Sequence, residues 1–157
     1  MNISVGQKTI LVLSDDVNTV DLIDDFLSKR GYTIIVAKNG QQAVDIYREH
    51  FNTILIVILE IHRSGNDRIG SGKEVYLLNG KEMYLLNPDI RIILMSDFVE
   101  NDDEYRNIFW LKKPFTTYEL IEAIDYVTWL EGVNTISVKP KPVVDDFFER
   151  ILMRSKR

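Results

Sequence analysis

The segment 54–60, ILIVILE, is the feature that most constrains the fold of this chain. Residues 54–59 are all apolar, so the segment lacks the polar face of a strand that is exposed to water on one side. Strands that are apolar on both faces are typical of the centre of a parallel sheet covered by helices on each side. With 157 residues, of which 45% are hydrophobic, the chain is long enough to bury one such core and is expected to form a single domain.

Shorter apolar runs alternate with amphipathic stretches along the rest of the chain. We predict further strands at 8–13, 32–37, 90–95 and 108–111, and helices at about 18–29, after Asn39-Gly40 and at 118–130. This alternation predicts a doubly wound α/β fold with a five-stranded parallel sheet. In such folds the functional site lies beyond the carboxyl ends of the strands. The residues at those positions are Ser14, Asp15, Asp16, Glu60, Ser96, Lys112 and Lys113.

An octapeptide is repeated in tandem before the fourth predicted strand. Residues 72–79 are GKEVYLLN and residues 80–87 are GKEMYLLN, which differ at one position. Eight residues make about 2.2 helical turns, so the second copy would rotate the apolar stripe by roughly 80°. We therefore expect a third helix that is extended or broken near Gly80 and that exposes at least one of Tyr76 and Tyr84.

The polar residues that follow the predicted strands form a specific pattern. Acids follow the first and third strands, a hydroxyl group follows the fourth, and a lysine before a proline follows the fifth. Together with ILVLSDDVNTVDLI, NGQQAV, NPDIRIILMS and LKKPFTTYELIEAI, this pattern resembles the receiver domain of bacterial and archaeal response regulators over about residues 8–129. The resemblance implies a flavodoxin-like fold and a role in two-component phosphorelay signalling. In that family, acids hold a divalent cation, an aspartate accepts a phosphoryl group, and the hydroxyl and lysine contact the phosphate.

The resemblance implies that Asp15 and Asp16 are metal ligands, and it leaves their register open. An ungapped count back from Gly31 aligns Ser14 with the family's first acid and Asp15 with the second. A shift of one residue would instead pair Asp15 with Asp16. The alternative is that Asp15 or Asp16 only caps the following helix.

Glu60 occupies the phosphate-accepting position if one copy of the octapeptide is treated as an insertion. Glutamate is one methylene longer than aspartate, so its carboxylate extends toward the place of a phosphoryl group and can pair with Lys113. Ser96 and Lys113 correspond to the phosphate-sensing residues, and the charge of Asp97 would hinder the approach of phosphate. We expect weak Mg²⁺ binding and a domain locked in one signalling state. The alternative is that Glu60 faces solvent at the end of its strand.

We expect the chain to divide into a receiver-like domain at 1–131, a linker at 132–142 and a C-terminal amphipathic helix at 143–157. Fewer residues than usual separate Ser96 from Lys113, which implies a shortened fourth helix within the acidic segment 97–105. The C-terminal helix either packs on its own domain or docks on a second subunit or another partner.

Composition and motifs narrow the functional class. The chain has no cysteine and a formal net charge of −5, and these values argue against thiolate metal sites and general nucleic-acid binding. No run is long enough to span a bilayer, and no signal-peptide pattern opens the chain, so a cytoplasmic location is expected. A glycine-rich phosphate loop after the first strand is also missing, which disfavours a nucleotide-binding enzyme.

We therefore expect a stand-alone, atypical receiver without enzymatic activity that acts through protein–protein interaction. Its partner would be a histidine kinase or a downstream signalling protein, and a homodimer is a further option. The alternative is a functional phospho-acceptor that uses Mg²⁺ and a histidine kinase.

Overall fold

The computed structural model describes residues 8–61, 80–97 and 108–129. Within these ranges, five strands form one parallel sheet in the order β2-β1-β3-β4-β5. The prediction of a doubly wound α/β fold is therefore confirmed. The elements are β1 (Lys8–Leu13), α1 (Val17–Ser28), β2 (Tyr32–Ala37), α2 (Gly40–His50), β3 (Ile54–Ile61), α3 (80–86 in the described part), β4 (Ile92–Ser96), β5 (Ile108–Lys112) and α4 (Thr117–Trp129).

The central strand β3 has buried side chains on both of its faces. Val57 and Leu59 belong to the core cluster that includes residues of α2 and α3. Ile56 and Ile58 belong to the cluster on the opposite face, which includes residues of α1 and α4. The apolar run thus has the two-sided helical cover that the sequence predicts.

Side-chain caps determine where three of the helices begin. The carboxylate of Asp16 and the amide of Asn39 each accept a hydrogen bond from a backbone N–H in the first turn of the next helix. At α4, the hydroxyl of Thr116 accepts from the backbone N–H of Glu119, whose carboxylate accepts from the backbone N–H of Thr116. This reciprocal arrangement is a capping box. Because caps are local, the predicted helix starts are correct to within one residue.

The bounds of three strands differ slightly from the prediction. Strand β3 ends at Ile61, one residue after Glu60, and β4 ends at Ser96, one residue after Met95. Strand β4 begins at Ile92 and not at Ile90, because the backbone N–H of Ile90 donates to the carbonyl of Asn87 in a turn. Strand β5 extends one residue further, to Lys112.

Several predictions lie wholly or partly outside the described residues. The second octapeptide is helical over 80–86, and Tyr84 is half-buried against the core. The first octapeptide with Tyr76, the shortened fourth helix after Asp97, the linker and the C-terminal helix fall outside the described ranges.

Candidate functional site at the carboxyl ends of β1, β3 and β5

Strand register brings the residue after β1 beside the end of β3. Leu13 pairs with Leu59, so Ser14 lies level with Glu60. Side chains alternate along strands, and Val12 and Ile58 both belong to the core cluster on the α1 and α4 side. Ser14 and Glu60 therefore point toward that side as well, just beyond the apolar layer.

Glu60 is fully buried and forms an ion pair with Lys113. Its side chain is 0% exposed, and the Nζ of Lys113 donates to its Oε1 at 2.6 Å. The side chain of Lys113 is 21% exposed. Transfer of a carboxylate out of water is costly unless a partner compensates its charge, and Lys113 supplies this compensation. The alternative of a solvent-facing Glu60 is therefore wrong.

The ion pair depends on two long side chains. Lys113 follows β5, which is separated from β3 by β4, so the two backbones are roughly 10 Å apart. The backbone N–H of Lys113 donates to the carbonyl of Ser96 at 2.7 Å, which anchors the lysine at the end of β4. The Lys113-Pro114 peptide bond is cis. From this position the lysine stem reaches across β4 to the glutamate.

Ser14 also contacts Glu60. Its side chain is buried, with 1% exposed. The hydroxyl donates a hydrogen bond to Oε2 of Glu60 and accepts one from the backbone N–H of Asp16 at 3.1 Å. The sequence pattern only aligned Ser14 with the family's first acid and did not predict this contact. The ungapped count from Gly31 was the one available signal for it.

Asp15 and Asp16 differ in their surroundings. Asp15 is exposed, whereas Asp16 is half-buried and caps α1. Asp16 accepts from the backbone N–H of Asn18 at 3.1 Å and from the hydroxyl of Thr19 at 2.8 Å. The hydrogen bond from Thr19, backbone N–H groups and the charge of Lys113 lower the pKa of Asp16, against an opposing effect of partial desolvation. The capping role considered for Asp16 is thus present.

The described acids fit a magnesium ion poorly in this arrangement. Within residues 8–61, 80–97 and 108–129, no group of three or more His, Cys, Asp or Glu side chains could hold a metal ion. Mg²⁺ requires near-octahedral oxygen ligands. The carboxylates of Glu60 and Asp16 already accept the hydrogen bonds described above.

Ser96 and Asp97 lie at the end of β4, and Lys112 is the last residue of β5. Ser96 is fully buried, and its backbone pairs with Lys112 of β5. Asp97, directly after the strand, is exposed. Ser14, Glu60, Ser96 and Lys113 therefore lie at one edge of the sheet.

Comparison with known proteins gives a consistent picture of the fold. No family model matches the chain. The transcriptional regulatory protein CpxR of Escherichia coli K12 is 23% identical over 115 residues, which are 73% of this chain and 47% of CpxR. The chain thus spans about half the length of this curated relative.

Solved receiver structures resemble the chain over most of their length. The response regulator TrrA of Thermotoga maritima, in complex with Mg²⁺ and BeF, is 26% identical with a TM-score of 0.57, and the match covers 77% of this chain and 99% of TrrA. A chain of the CheX–CheY–BeF₃–Mg²⁺ complex of Borrelia burgdorferi is 21% identical with a TM-score of 0.62, and the match covers 82% and 95% of the two chains. A response regulator receiver domain of Clostridium thermocellum is 19% identical with a TM-score of 0.60, and the match covers 80% of this chain and 98% of that one.

The fold is that of the response-regulator receiver domains, with the five-stranded parallel sheet of the flavodoxin-like class. None of the helices in the described residues has the length and apolar character needed to cross a membrane.

Proposed function

We propose that this chain is an atypical receiver module of two-component signalling that works by protein–protein interaction, without phosphorylation and without enzymatic activity of its own. The observation that carries the proposal is the buried ion pair between Glu60 and Lys113. In this proposal Glu60 stands at the phospho-acceptor position, and Ser96 and Lys113 stand at the phosphate-sensing positions.

The ion pair balances the charge of Lys113 without a phosphoryl group. In a phosphorylated receiver the lysine would balance the charge of the phosphate, and here the carboxylate of Glu60 takes that place at 2.6 Å. A phosphate near Lys113 would have to draw the ammonium away from Glu60. The fully buried carboxylate would then lose its counter-charge, which is strongly unfavourable. The resting domain therefore holds one signalling state.

The proposed partner is a protein. Large apolar side chains are exposed at Val17, Leu85 and Tyr118, with 65% to 71% of each accessible, and they offer contact area on more than one side of the domain. A histidine kinase or a downstream signalling protein is the proposed partner, with a second copy of the chain as a further option. The net charge of −5 argues against nucleic acid. Mg²⁺ binding through Asp15 and Asp16 is proposed to be weak, and the location to be cytoplasmic.

A second candidate is a receiver that still accepts a phosphoryl group from a histidine kinase with the help of Mg²⁺. It is favoured by one observation, that two of the similar structures are complexes with Mg²⁺ and BeF. In this case Glu60 or a neighbouring acid would be the acceptor.

Incubation with acetyl phosphate and Mg²⁺, followed by intact-mass measurement, separates the two candidates. We expect no stoichiometric mass gain in the wild-type protein. Glu60→Gln is the matched control, because it keeps the size of the side chain and removes the carboxylate. A gain of one phosphoryl group in the wild type that is lost in Glu60→Gln would establish the second candidate.

The locked state has its own test in the amide NMR spectra of three forms. We expect Glu60→Gln to shift resonances along β4, β5 and α4, because Lys113 loses its charged partner. Glu60→Asp shortens the side chain, so we expect a weaker ion pair. Its resonances should shift in the same direction as those of Glu60→Gln. Shifts confined to the immediate neighbours of residue 60 in both variants would contradict a state held by Glu60.

A further inference from the structure

We propose that Ser14 is a positioning residue that shares with Lys113 the two carboxylate oxygens of Glu60, and that this pair of donors replaces a divalent cation at the site. The inference rests on the proposed function, because it explains how the resting state is held. It assigns to Ser14 a role that its residue type alone does not indicate.

The direction of the hydrogen bonds fixes what Ser14 does. A serine hydroxyl has a single donor hydrogen and can accept at its oxygen. The backbone N–H of Asp16 donates to this oxygen at 3.1 Å, so the hydroxyl hydrogen is available for Oε2 of Glu60. Lys113 donates to the other oxygen, Oε1, at 2.6 Å. A continuous chain of donors therefore runs from the start of α1 to the glutamate.

Burial makes this arrangement energetically significant. Ser14 is 1% exposed and Glu60 is 0% exposed, so water does not readily replace the serine hydroxyl. In such surroundings successive hydrogen bonds polarise and strengthen one another. A cation that coordinated Oε2 would have to displace the hydroxyl, give up part of its own hydration shell and lie near the positive charge of Lys113. The protein's own donors thus compete directly with Mg²⁺.

A matched pair of variants tests this inference. Ser14→Asn can still accept from Asp16 and can donate to Glu60 through its amide. Ser14→Asp has the same size but only accepts, and it places a second carboxylate beside Glu60. Two adjacent carboxylates repel unless a cation offsets them. Mg²⁺ should therefore stabilise Ser14→Asp and leave both the wild type and Ser14→Asn unchanged.

The expected readout is the melting temperature with and without Mg²⁺. At a Mg²⁺ concentration of about ten times the Kd of this variant, Ser14→Asp should gain about 1.4 kcal/mol, which corresponds to roughly 3–6 °C. Its Kd for Mg²⁺ should be at least about tenfold lower than that of Ser14→Asn. An equal gain in the wild type, or no gain in Ser14→Asp, would overturn the inference.

A second measurement applies if Ser14→Asp does not fold. Because Mg²⁺ binding by the wild type is proposed to be weak, Mg²⁺ should not saturate the amide shifts of residues 14, 60 and 113 in the wild-type protein over the concentration range that saturates them in Ser14→Ala. Ser14→Ala, which lacks the competing hydroxyl, should show saturable shifts over the same range. Saturable shifts at these residues in the wild type, or their absence in Ser14→Ala, would contradict the role of Ser14.

The two proposals fail in different experiments. A phosphoryl mass gain contradicts the proposed function, whatever the Mg²⁺ titration shows. Saturable Mg²⁺ binding by the wild type without a mass gain contradicts only the role assigned to Ser14.

Discussion

Among the polar side-chain contacts that join distant segments of the described residues, two lie on opposite faces of the sheet and differ in charge. At the carboxyl ends of the strands, Lys113 forms an ion pair with Glu60, which is 53 residues away in the sequence. On the opposite face of the sheet, the amide of Asn87 donates to the hydroxyl of Tyr47 at 3.1 Å, across 40 residues. Glu60 and Tyr47 are both 0% exposed.

The comparison shows why only one of these contacts constrains its surroundings. Burial raises the pKa of Tyr47 against the opposing effect of the hydrogen bond from Asn87, so the phenol stays neutral. A neutral hydroxyl that loses its partner leaves one modest hydrogen bond unmade. A buried carboxylate that loses its cation keeps an uncompensated charge. The ion pair at the carboxyl ends of the strands is therefore much less tolerant of substitution than the contact between α2 and the turn after α3.

The largest effect is expected for Lys113→Met, which keeps the aliphatic stem and removes the charge. Glu60 would remain buried without its counter-charge, and the free energy of unfolding should fall by about 3–5 kcal/mol. Urea unfolding measures this change. The double variant Glu60→Gln/Lys113→Met is the control and should recover part of the loss. Strictly additive losses would mean that the two side chains are not coupled.

Glu60→Gln alone should be less damaging than Lys113→Met. The lysine keeps 21% of its exposure and can turn toward water when its partner is neutral. We expect a loss of about 1–3 kcal/mol in the same unfolding experiment. A loss larger than that of Lys113→Met would mean that Lys113, and not Glu60, is the more costly charge to leave unpaired.

Tyr47→Phe removes the neutral contact and should cost only about 0.5–1.5 kcal/mol. The pKa of Tyr47 is raised above 10.0, so its contribution to stability is fully present below pH 10.0 and is lost as the pH rises above it. Tyr47→Phe should therefore decline less steeply in alkaline solution than the wild type. Unfolding followed at several alkaline pH values measures the difference, and parallel curves would contradict the assignment.

The smallest effect is expected for Asp16→Asn, which preserves the cap of α1 and removes its charge. The pKa of Asp16 is lowered below 3.8, so its ionised form stabilises the fold above pH 3.8 and this contribution disappears as the pH falls. The variant should melt slightly below the wild type near neutral pH, and the gap should close in acid. A gap that does not depend on pH would show that the charge of Asp16 is not involved.

Much of the fold was predictable from short stretches of sequence. The apolar run that ends at Glu60 indicated a central strand, and Asp16, Asn39 and Thr116 are capping residues that begin helices in the structure. Gly31 has a φ of 90°, the left-handed conformation expected for a glycine that ends a helix. Each of these signals depends on a few neighbouring residues, so it can be recognised in the sequence without knowledge of the tertiary structure.

The sequence by itself also determined which residues lie at the carboxyl edge, because the ends of parallel strands share one side of the sheet. Tertiary structure alone decided their contacts. The burial of Glu60, the hydrogen bond from Ser14 across 46 residues and the approach of Lys113 across an intervening strand all depend on strand order and register. The hydrogen bond from Asn87 to Tyr47 likewise joins segments that are 40 residues apart, and the sequence did not predict it. Strand register depends on how side chains pack over the whole sheet, so no local sequence pattern around Ser14 or Asn87 predicts it.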